Sequence, residues 1–327
     1  MPRCISVHKD LAERAIRELR KKNLIDEGYL IAKVGDRVLI PVLEASHEIE
    51  LSFGREQAFE CTLQPRNRAP SAVKMPSLDV LGEAVILREK ALMYRSLQEV
   101  IDSVRQVYPR VRAIWVKEET ADVYRRPVLR LLWGEEVRDV VVKEYKIKIK
   151  ITLGDVYYNP RLAEEHRRVA KLVKGGEVIV DAFSGVGCFS LHVASSALSL
   201  VIANDINPAA YDLLVENISM NRKGLRGTII PLNLDSAELP SVLSEGRADR
   251  VIADLPLKSL DYVEVYEKLL KPGGVLHLYM HSSSVEDAKI SAAERLRGWF
   301  ISGCREVLEY SPRTGIFRCD IRKPNNI

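Results

Sequence analysis

The sequence predicts an α/β protein: a doubly wound, mainly parallel sheet in the C-terminal half, preceded by two small α+β modules. Three observations carry this expectation. From about residue 156 onward, apolar runs of strand length alternate with helical periodicities, the order that builds parallel sheets covered by helices on both faces. Polar residues recur at the carboxyl ends of those strands, where such sheets bind their ligands. Near residue 70 the stretch TLQPRNRAPSAVKMPS interrupts every periodicity with prolines and basic residues, the composition of an extended, solvated linker.

The chain has 327 residues, more than one hydrophobic core usually serves. From Lys9 to Lys22, apolar residues at Leu11, Ala12, Ala15, Ile16 and Leu19 have the spacing of an amphipathic helix, and YLIAKV and RVLIPV follow as short strands. These form a first module over residues 1–70, ending in the linker. A second module spans 71–155: strand LDVLGEAVIL, an amphipathic helix over Glu89 to Val107, strand VRAIWV, then PVLRLLW and a run ending EYKIKIKITL. From Lys146 to Ile151 strict alternation sends lysines to one face of a strand and isoleucines to the other. Either an edge strand protected by lysine or a phosphate-facing stripe follows from that pattern. In the third domain, 156–327, GEVIVDAF, LSLVIANDI, GTIIPLN, RVIADLP and GGVLHLYM read as strands, with FSLHVASSA and PAAYDLLVENISMNR as helices.

Composition narrows the class. Hydrophobic residues make up 46% and charged residues 29%, and no polar low-complexity tract occurs, as in soluble globular proteins. No run of about 18 apolar residues suggests a membrane span, and the charged N-terminus lacks the apolar core of a signal peptide. A formal charge of +4 is too mild to single out a nucleic-acid binder by itself. Five scattered cysteines without a CxxC pair suggest neither a disulfide framework nor a zinc site. A reducing cytoplasm fits this usage.

The chemistry concentrates at the strand ends. In VDAFSGVGCFSLHVA, Asp181 precedes a Gly-x-Gly turn, Gly185 and Gly187, that opens a helix and lets backbone amides approach a ligand. The turn alone equally suits a dinucleotide fold. The next strand ends ANDINPAA, placing Asp205 where a carboxylate accepts both hydroxyls of a ribose. PLNLDSAEL places Asp235 where an adenine amino group can be held, and ADLP brings Asp254 to the same rim. The phosphate-loop lysine and the third glycine of a dinucleotide fingerprint are both missing. Acidic groups repel a pyrophosphate, so S-adenosylmethionine, a nucleoside without phosphates, suits the rim better than NAD.

DAFSGVGCFS, DINPAAYDLLVENISMN and ADLPLKSLDY, with VYYNPRLAEEHRRV ahead and EYSPRTGIFRCDI near the end, resemble the archaeal and eukaryotic tRNA (guanine-N1-)-methyltransferases that modify guanosine 37. The similarity runs over nearly the whole chain. It implies a class I methyltransferase fold, S-adenosylmethionine as methyl donor, and tRNA as partner, held at the anticodon loop and, through the first module, at the elbow. By motif position the resemblance puts the guanine-gripping arginine on Arg125, the aromatic near the donor on Tyr157, the turn arginine on Arg161, the general base on Glu165, and the Asn-Leu-Pro motif on Asp254-Leu255-Pro256. The implied donor site comprises Asp181, Phe183, Gly185, Gly187, Asp205, Ile206, Asn207, Asp235 and His166. No metal ligand is assigned, although the family's preference for magnesium leaves room for a supporting ion. A cytoplasmic monomer is expected.

The chemistry explains why such residues are needed. Guanine N1 carries a hydrogen at neutral pH, so transfer requires a base and a positive donor at O6. The chain departs from the family at Asn159 (usually serine), His166 (usually arginine) and Asp254 (usually asparagine). Asp254 adds a second carboxylate that competes with Glu165 for the proton. Plain structural roles exist for each residue: Glu164 and Glu165 sit in a first helical turn, where carboxylates stabilise the dipole by roughly 0.3–1 kcal/mol, Arg125 and Arg126 suit surface or phosphate contacts, and Tyr157 suits strand packing. The alternative functions are methylation of a tricyclic wyosine precursor, aminocarboxypropyl transfer from the same donor, and non-catalytic tRNA binding.

Overall fold

The computed structural model describes residues 2–22, 24–26, 28–43, 48–63, 77–88, 96–121, 126–311 and 313–325. The chain falls into two compact units, Met1–Lys74 and Met75–Ile327.

In the first unit, strands β1 (Arg3–His8), β2 (Ala32–Val34), β3 (Arg37–Val42) and β6 (Phe59–Glu60) form an antiparallel sheet of order β2-β3-β1-β6, with β4 (Glu48–Leu51) and β5 (Gly54–Gln57) as a separate hairpin. Helix α1 (Ala12–Lys21) buries Ala12, Ala15 and Leu19 against Ile5, Val7 and Ile40, the face its periodicity predicts. Most of the Pro-rich stretch lies outside the described residues.

The second unit opens with β7 (Leu78–Leu81) and β8 (Ala84–Arg88), a hairpin rather than the single strand expected of LDVLGEAVIL. Gly82 makes the turn at φ +59°, where an added Cβ would also lie 3.1 Å from the Val141 carbonyl oxygen. Helix α2 (Leu97–Val107) starts at Ser96 with a capping box to Glu99, and buries Val100, Ile101 and Val104 on Val85, Leu87, Ile114 and Val116. The part of the expected helix at 89–95 lies outside the described residues. Strands β9 (Ala113–Ala121) and β10 (Arg126–Gly134) complete a sheet of order β10-β9-β8-β7, and β11 (Asp139–Glu144) pairs with β12 (Ile147–Thr152) as an antiparallel hairpin.

The remaining strands are β13 (Val178–Asp181), β14 (Leu200–Asn204), β15 (Thr228–Leu232), β16 (Ala248–Ala253), β17 (Leu270–Ser282), β18 (Phe300–Ser311) and β19 (Thr314–Arg322). They form one sheet of order β15-β14-β13-β16-β17-β19-β18, parallel through β17; β19 runs antiparallel to the rest, and β18, antiparallel to β19, runs with β13–β17. This is the class I methyltransferase arrangement, with β13 at the point where the winding reverses direction. Helices α3 (Ala163–Ala170), α4 (Cys188–Ser196), α5 (Pro208–Asn221), α6 (Leu239–Val242), α7 (Val263–Leu269) and α8 (Val285–Arg295) cover it. Alternation divides the core: Ile179, Val201 and Ile252 join one buried cluster, Val180, Val251 and Leu276 the other.

Ile147, Ile149, Ile151 and Val156 belong to the same cluster as Ile179, so the chain around residue 155 lies within a continuous core. The other edge of β12 is closed by a helix. Asn217 of α5 accepts from the Lys150 amide (2.7 Å) and donates to its carbonyl (3.1 Å), and Asn221 does the same for Lys148. These two carboxamides stand in for a neighbouring strand, while Lys150 pairs with Glu216 at 2.9 Å.

The cysteine pattern misleads. Cys4–Cys61 and Cys304–Cys319 are disulfide-bonded, and Cys188 is free and buried. Cys304 and Cys319 face each other in the β18–β19 ladder, and Cys4 lies beside the strand that leads to Cys61. Sheet register, not sequence spacing, brings each pair together. Among the described residues no helix is long and apolar enough to cross a membrane.

Candidate active site

The carboxyl ends of β13, β14, β15 and β16 converge on a cavity of about 490 Å³, within the usual range for a small-molecule site. Asp205, Asp235 and Asp254, each just beyond a different strand, all line it, as do Phe183, Gly185, Ile206 and Asn207. The switch in winding beside β13 leaves this rim uncovered, which is why four strand ends share one space.

The glycine turn holds the rim together. Gly185 (φ +53°) donates its amide to Asp205 Oδ2 at 2.7 Å, and Gly187 (φ +94°) donates to the Ser184 carbonyl at 2.9 Å before capping α4. A Cβ on Gly187 would lie 2.4 Å from Leu214 Cδ1. These amides therefore fix the turn and the Asp205 carboxylate rather than forming an open cradle. Asp205 Oδ1 accepts from the Asn207 amide at 2.9 Å, and burial pushes its carboxyl upward despite those two bonds. Asn207 itself caps α5 and donates to the Asp155 carbonyl at 3.0 Å, tying the tyrosine turn to the rim.

Asp181 is fully buried behind the turn. Its Oδ2 accepts from Ser190 at 2.6 Å, whereas Oδ1 has no partner. Burial, reinforced by the Asp254 and Asp205 charges, pushes the carboxyl up to about 7 against the Ser190 hydrogen bond. Three carboxylates lining one cavity, Asp205, Asp235 and Asp254, suit a ligand carrying N–H or positive charge, and oppose a phosphate. The residues present thus fit a cationic nucleoside such as S-adenosylmethionine.

Asn204, which the sequence reading passes over, stitches the strand ends. Its side-chain amide donates to the Ala182 and Leu234 carbonyls and to Ser236, and its oxygen accepts from the Leu234 amide at 3.1 Å. Asp235 accepts from the Ala237 amide at 2.9 Å and starts a short helix.

The turn and helix from Val156 to Arg168 divide their side chains. Tyr157, Tyr158 and His166 line the cavity, and so do Asp254 and Pro256. Arg161 points elsewhere, pairing with Asp79 of β7 at 3.4 Å, and Arg125 lies outside the described residues. Glu165 is buried behind the wall, accepting from Tyr279 (3.0 Å), Arg318 (2.5 Å) and Arg168 (3.0 Å). Gly187 and Asp181 support the cavity from behind without lining it.

One further residue emerges only from the structure. Glu144, at the end of β11, is buried and receives three donors: Tyr158 at 2.8 Å, His166 at 2.8 Å and His192 at 3.0 Å. Burial pushes its carboxyl up, but the hydrogen bonds from both histidines and Tyr158 outweigh it and hold the group near about 2. Among the described residues, Glu144, His166 and Cys188 alone place three potential ligand atoms within 4.8 Å of one another. One carboxylate, one imidazole and one thiol do not match the six-oxygen octahedron that magnesium demands.

Comparison with known proteins decides the family. Residues 140–297 match the TRM5/TYW2 methyltransferase domain, and residues 4–50 match the tRNA methyltransferase 5 N-terminal domain. A tRNA (guanine(37)-N(1))-methyltransferase Trm5b of Pyrococcus abyssi is 31% identical over 277 residues, covering 80% of this chain and 79% of that protein. The chain belongs to the TRM5/TYW2 methyltransferase family. The crystal structure of that Pyrococcus abyssi Trm5b superposes with a TM-score of 0.67 at 29% identity, covering 98% of this chain and 99% of that one. The tRNA 4-demethylwyosine(37)-methyltransferase Taw21 of Saccharolobus solfataricus is 30% identical over 229 residues, 68% of this chain and 84% of that protein. The TRM5/TYW2 match begins within β11 and so takes in Glu144, the tyrosine turn and the whole acidic rim.

Proposed function

We propose that the protein transfers a methyl group from S-adenosylmethionine to N1 of guanosine 37 in tRNA. The observation that carries this reading is the acidic cavity at the ends of β13–β16 in a TRM5/TYW2 methyltransferase domain whose relative of 31% identity is named for that reaction. Asp205 receives the ribose hydroxyls and Asp235 the adenine edge; Asp181 supports the donor site from behind, and Phe183 and Ile206 flank the nucleoside. The donor, when bound, supplies an already activated methyl group, so no metal is needed for its leaving group.

On the substrate side, Asp254 accepts from a guanine N–H, Pro256 shapes the wall and Tyr157 packs against the base. Arg125 is proposed to stabilise the negative charge developing at O6. The base itself is extruded from the anticodon loop to reach the cavity, while the N-terminal unit recognises the folded tRNA elbow by shape and charge. Residues 71–155 act with the catalytic domain on the RNA. A monomeric protein completes the proposal.

The similarity to the Saccharolobus solfataricus Taw21 supports a second reading, methylation of 4-demethylwyosine at the same tRNA position. Aminocarboxypropyl transfer is separated by labelling. With tRNA transcript, methyl-labelled donor should label the RNA and carboxyl-labelled donor should not. The reverse pattern would assign the cavity to aminocarboxypropyl transfer, and no label from either would remove the enzymatic reading.

A further inference from the structure

Three elements bring metal-binding atoms to one buried spot. Cys188 and His192 stand four residues apart on α4, so a single face of that helix presents both. Glu144 closes β11, and His166 lies on α3. All four side chains are buried. Glu144 Oε2 lies 2.8 Å from His166 Nδ1 and 3.0 Å from His192 Nε2. The Cys188 sulfur lies within 4.8 Å of the ligand atoms of both Glu144 and His166.

Hydrogen bonding explains part of this arrangement, because Glu144 accepts from both imidazoles and from Tyr158. It gives no reason for a thiol at ligand spacing from the same carboxylate and ring. A divalent ion joins all four. One carboxylate and one thiolate cancel its two charges, and two neutral imidazoles add donor atoms without adding charge. The filled site is therefore neutral, as a cation buried away from water requires. Two nitrogens, one sulfur and one carboxylate oxygen make a tetrahedral zinc donor set. Zinc bonds of about 2.0–2.1 Å put neighbouring nitrogen and oxygen ligands about 3.4 Å apart. The Glu144–imidazole spacings are shorter by about half an ångström, a difference that small side-chain rotations supply.

The surroundings also suit ligands of a metal. The Tyr158 hydroxyl donates to Glu144 Oε1 at 2.8 Å, which leaves Oε2 for the ion, and Phe189 packs edge-on against the His166 ring at 4.6 Å between centroids. Such outer contacts fix the orientation of ligating carboxylates and imidazoles.

We propose that Glu144 Oε2, His166 Nδ1, Cys188 Sγ and His192 Nε2 bind one zinc ion that ties β11, α3 and α4 together at the wall of the cavity, which His166 and Cys188 line. On binding, the bond from Sγ to hydrogen breaks, the proton passes to water, and sulfur gives the pair it keeps to zinc. The ion is structural: four protein ligands close its shell and leave no position for a substrate. The site stands apart from the methyl-transfer reading, and its test reads no turnover.

Full-length protein is analysed for metal as purified, then treated with chelator and titrated with zinc or with cobalt(II) alone. Zinc should bind at about one ion per chain and raise the melting temperature. Cobalt(II) should give a thiolate-to-metal charge-transfer band in the near ultraviolet and intense tetrahedral ligand-field bands in the visible. Y158F keeps all four ligands, so it should retain the charge-transfer band while losing about 10–100-fold in zinc affinity. C188S should abolish that band and lose more affinity than Y158F, and H192A should lose more than Y158F as well. The cobalt spectrum is read on the wild-type chain, so it decides even where a variant is unstable. No zinc uptake, a cobalt spectrum without the thiolate band, or zinc held as tightly by C188S as by wild type would each overturn the site, the last by placing the metal elsewhere.

Discussion

The guanidinium of Arg318 on β19 stands 2.5 Å from the carboxylate of Glu165 on α3, 153 residues away in sequence, and both side chains are buried. The contact is one link in a longer chain of charge. Arg318 also donates to Asp320 at 3.0 Å, Asp320 meets His277 at 2.6 Å, His277 meets Arg250 at 3.3 Å, and Arg250 pairs twice with Glu177 at 2.7 and 3.1 Å. Polar groups thus run through the sheet from the opening helix to the edge of β13. Burial pushes the imidazole of His277 downward despite Asp320.

Breaking one link should be costly. R318M leaves Glu165 buried with only Tyr279 and Arg168, and should lower stability by about 3 kcal/mol. Replacing both partners, in E165M/R318M, should recover much of that loss, because the uncompensated charge is gone. Denaturant unfolding of the three variants checks this; equal losses in the single and double variants would contradict it.

Asp181 makes stability and donor binding depend on pH. Its folded carboxyl, raised to about 7 from an ordinary value of 3.8, holds a proton that the unfolded chain has released. Stability from this group is therefore complete below about 4 and is lost as pH rises through about 7. The advantage of D181N over wild type should grow between pH 5 and 8 in thermal unfolding. A positively charged donor favours the ionised carboxyl, so S-adenosylmethionine should bind more tightly as pH rises toward 7, releasing protons. Calorimetry in buffers of different ionisation enthalpy measures that release.

Asp205 offers its remaining lone pairs to the cavity while two backbone amides fix it. Two lost hydrogen bonds to a ribose correspond to about 10–100-fold in affinity. D205A should weaken S-adenosylhomocysteine binding by that factor in isothermal titration, and a change below about threefold would mean that the ribose lies elsewhere.

Asn204 tests the rim's construction. N204A leaves the Leu234 amide and carbonyl without their side-chain partner, while the Ala182 carbonyl keeps Ser236, a loss of about 1–3 kcal/mol. Chemical denaturation should show it together with weakened donor binding, since Ala182 and Ser236 border the same turn.

Much of this was legible in the sequence. Periodicity of two and of 3.6 residues located β13 to β17, α4 and α5, and the strand-end rule brought Asp205, Asp235 and Asp254 to one cavity. What stayed hidden depends on partners far away along the chain. Nothing local to Glu165 announces Arg318, nothing local to Arg161 announces Asp79, and Glu144 gathers its three partners from 14, 22 and 48 residues away. Gly82 turned one apparent strand into a hairpin because a run of apolar residues on either side of a glycine reads the same in both. The cysteine pairs likewise follow from sheet register, which spacing does not encode.

Nucleoside mass spectrometry of tRNA treated with the protein and S-adenosylmethionine tests the central claim most directly. The account predicts one new 1-methylguanosine per tRNA, lost when position 37 is changed from guanosine to adenosine. Transcript that gains no 1-methylguanosine, or gains it equally without guanosine 37, would contradict it.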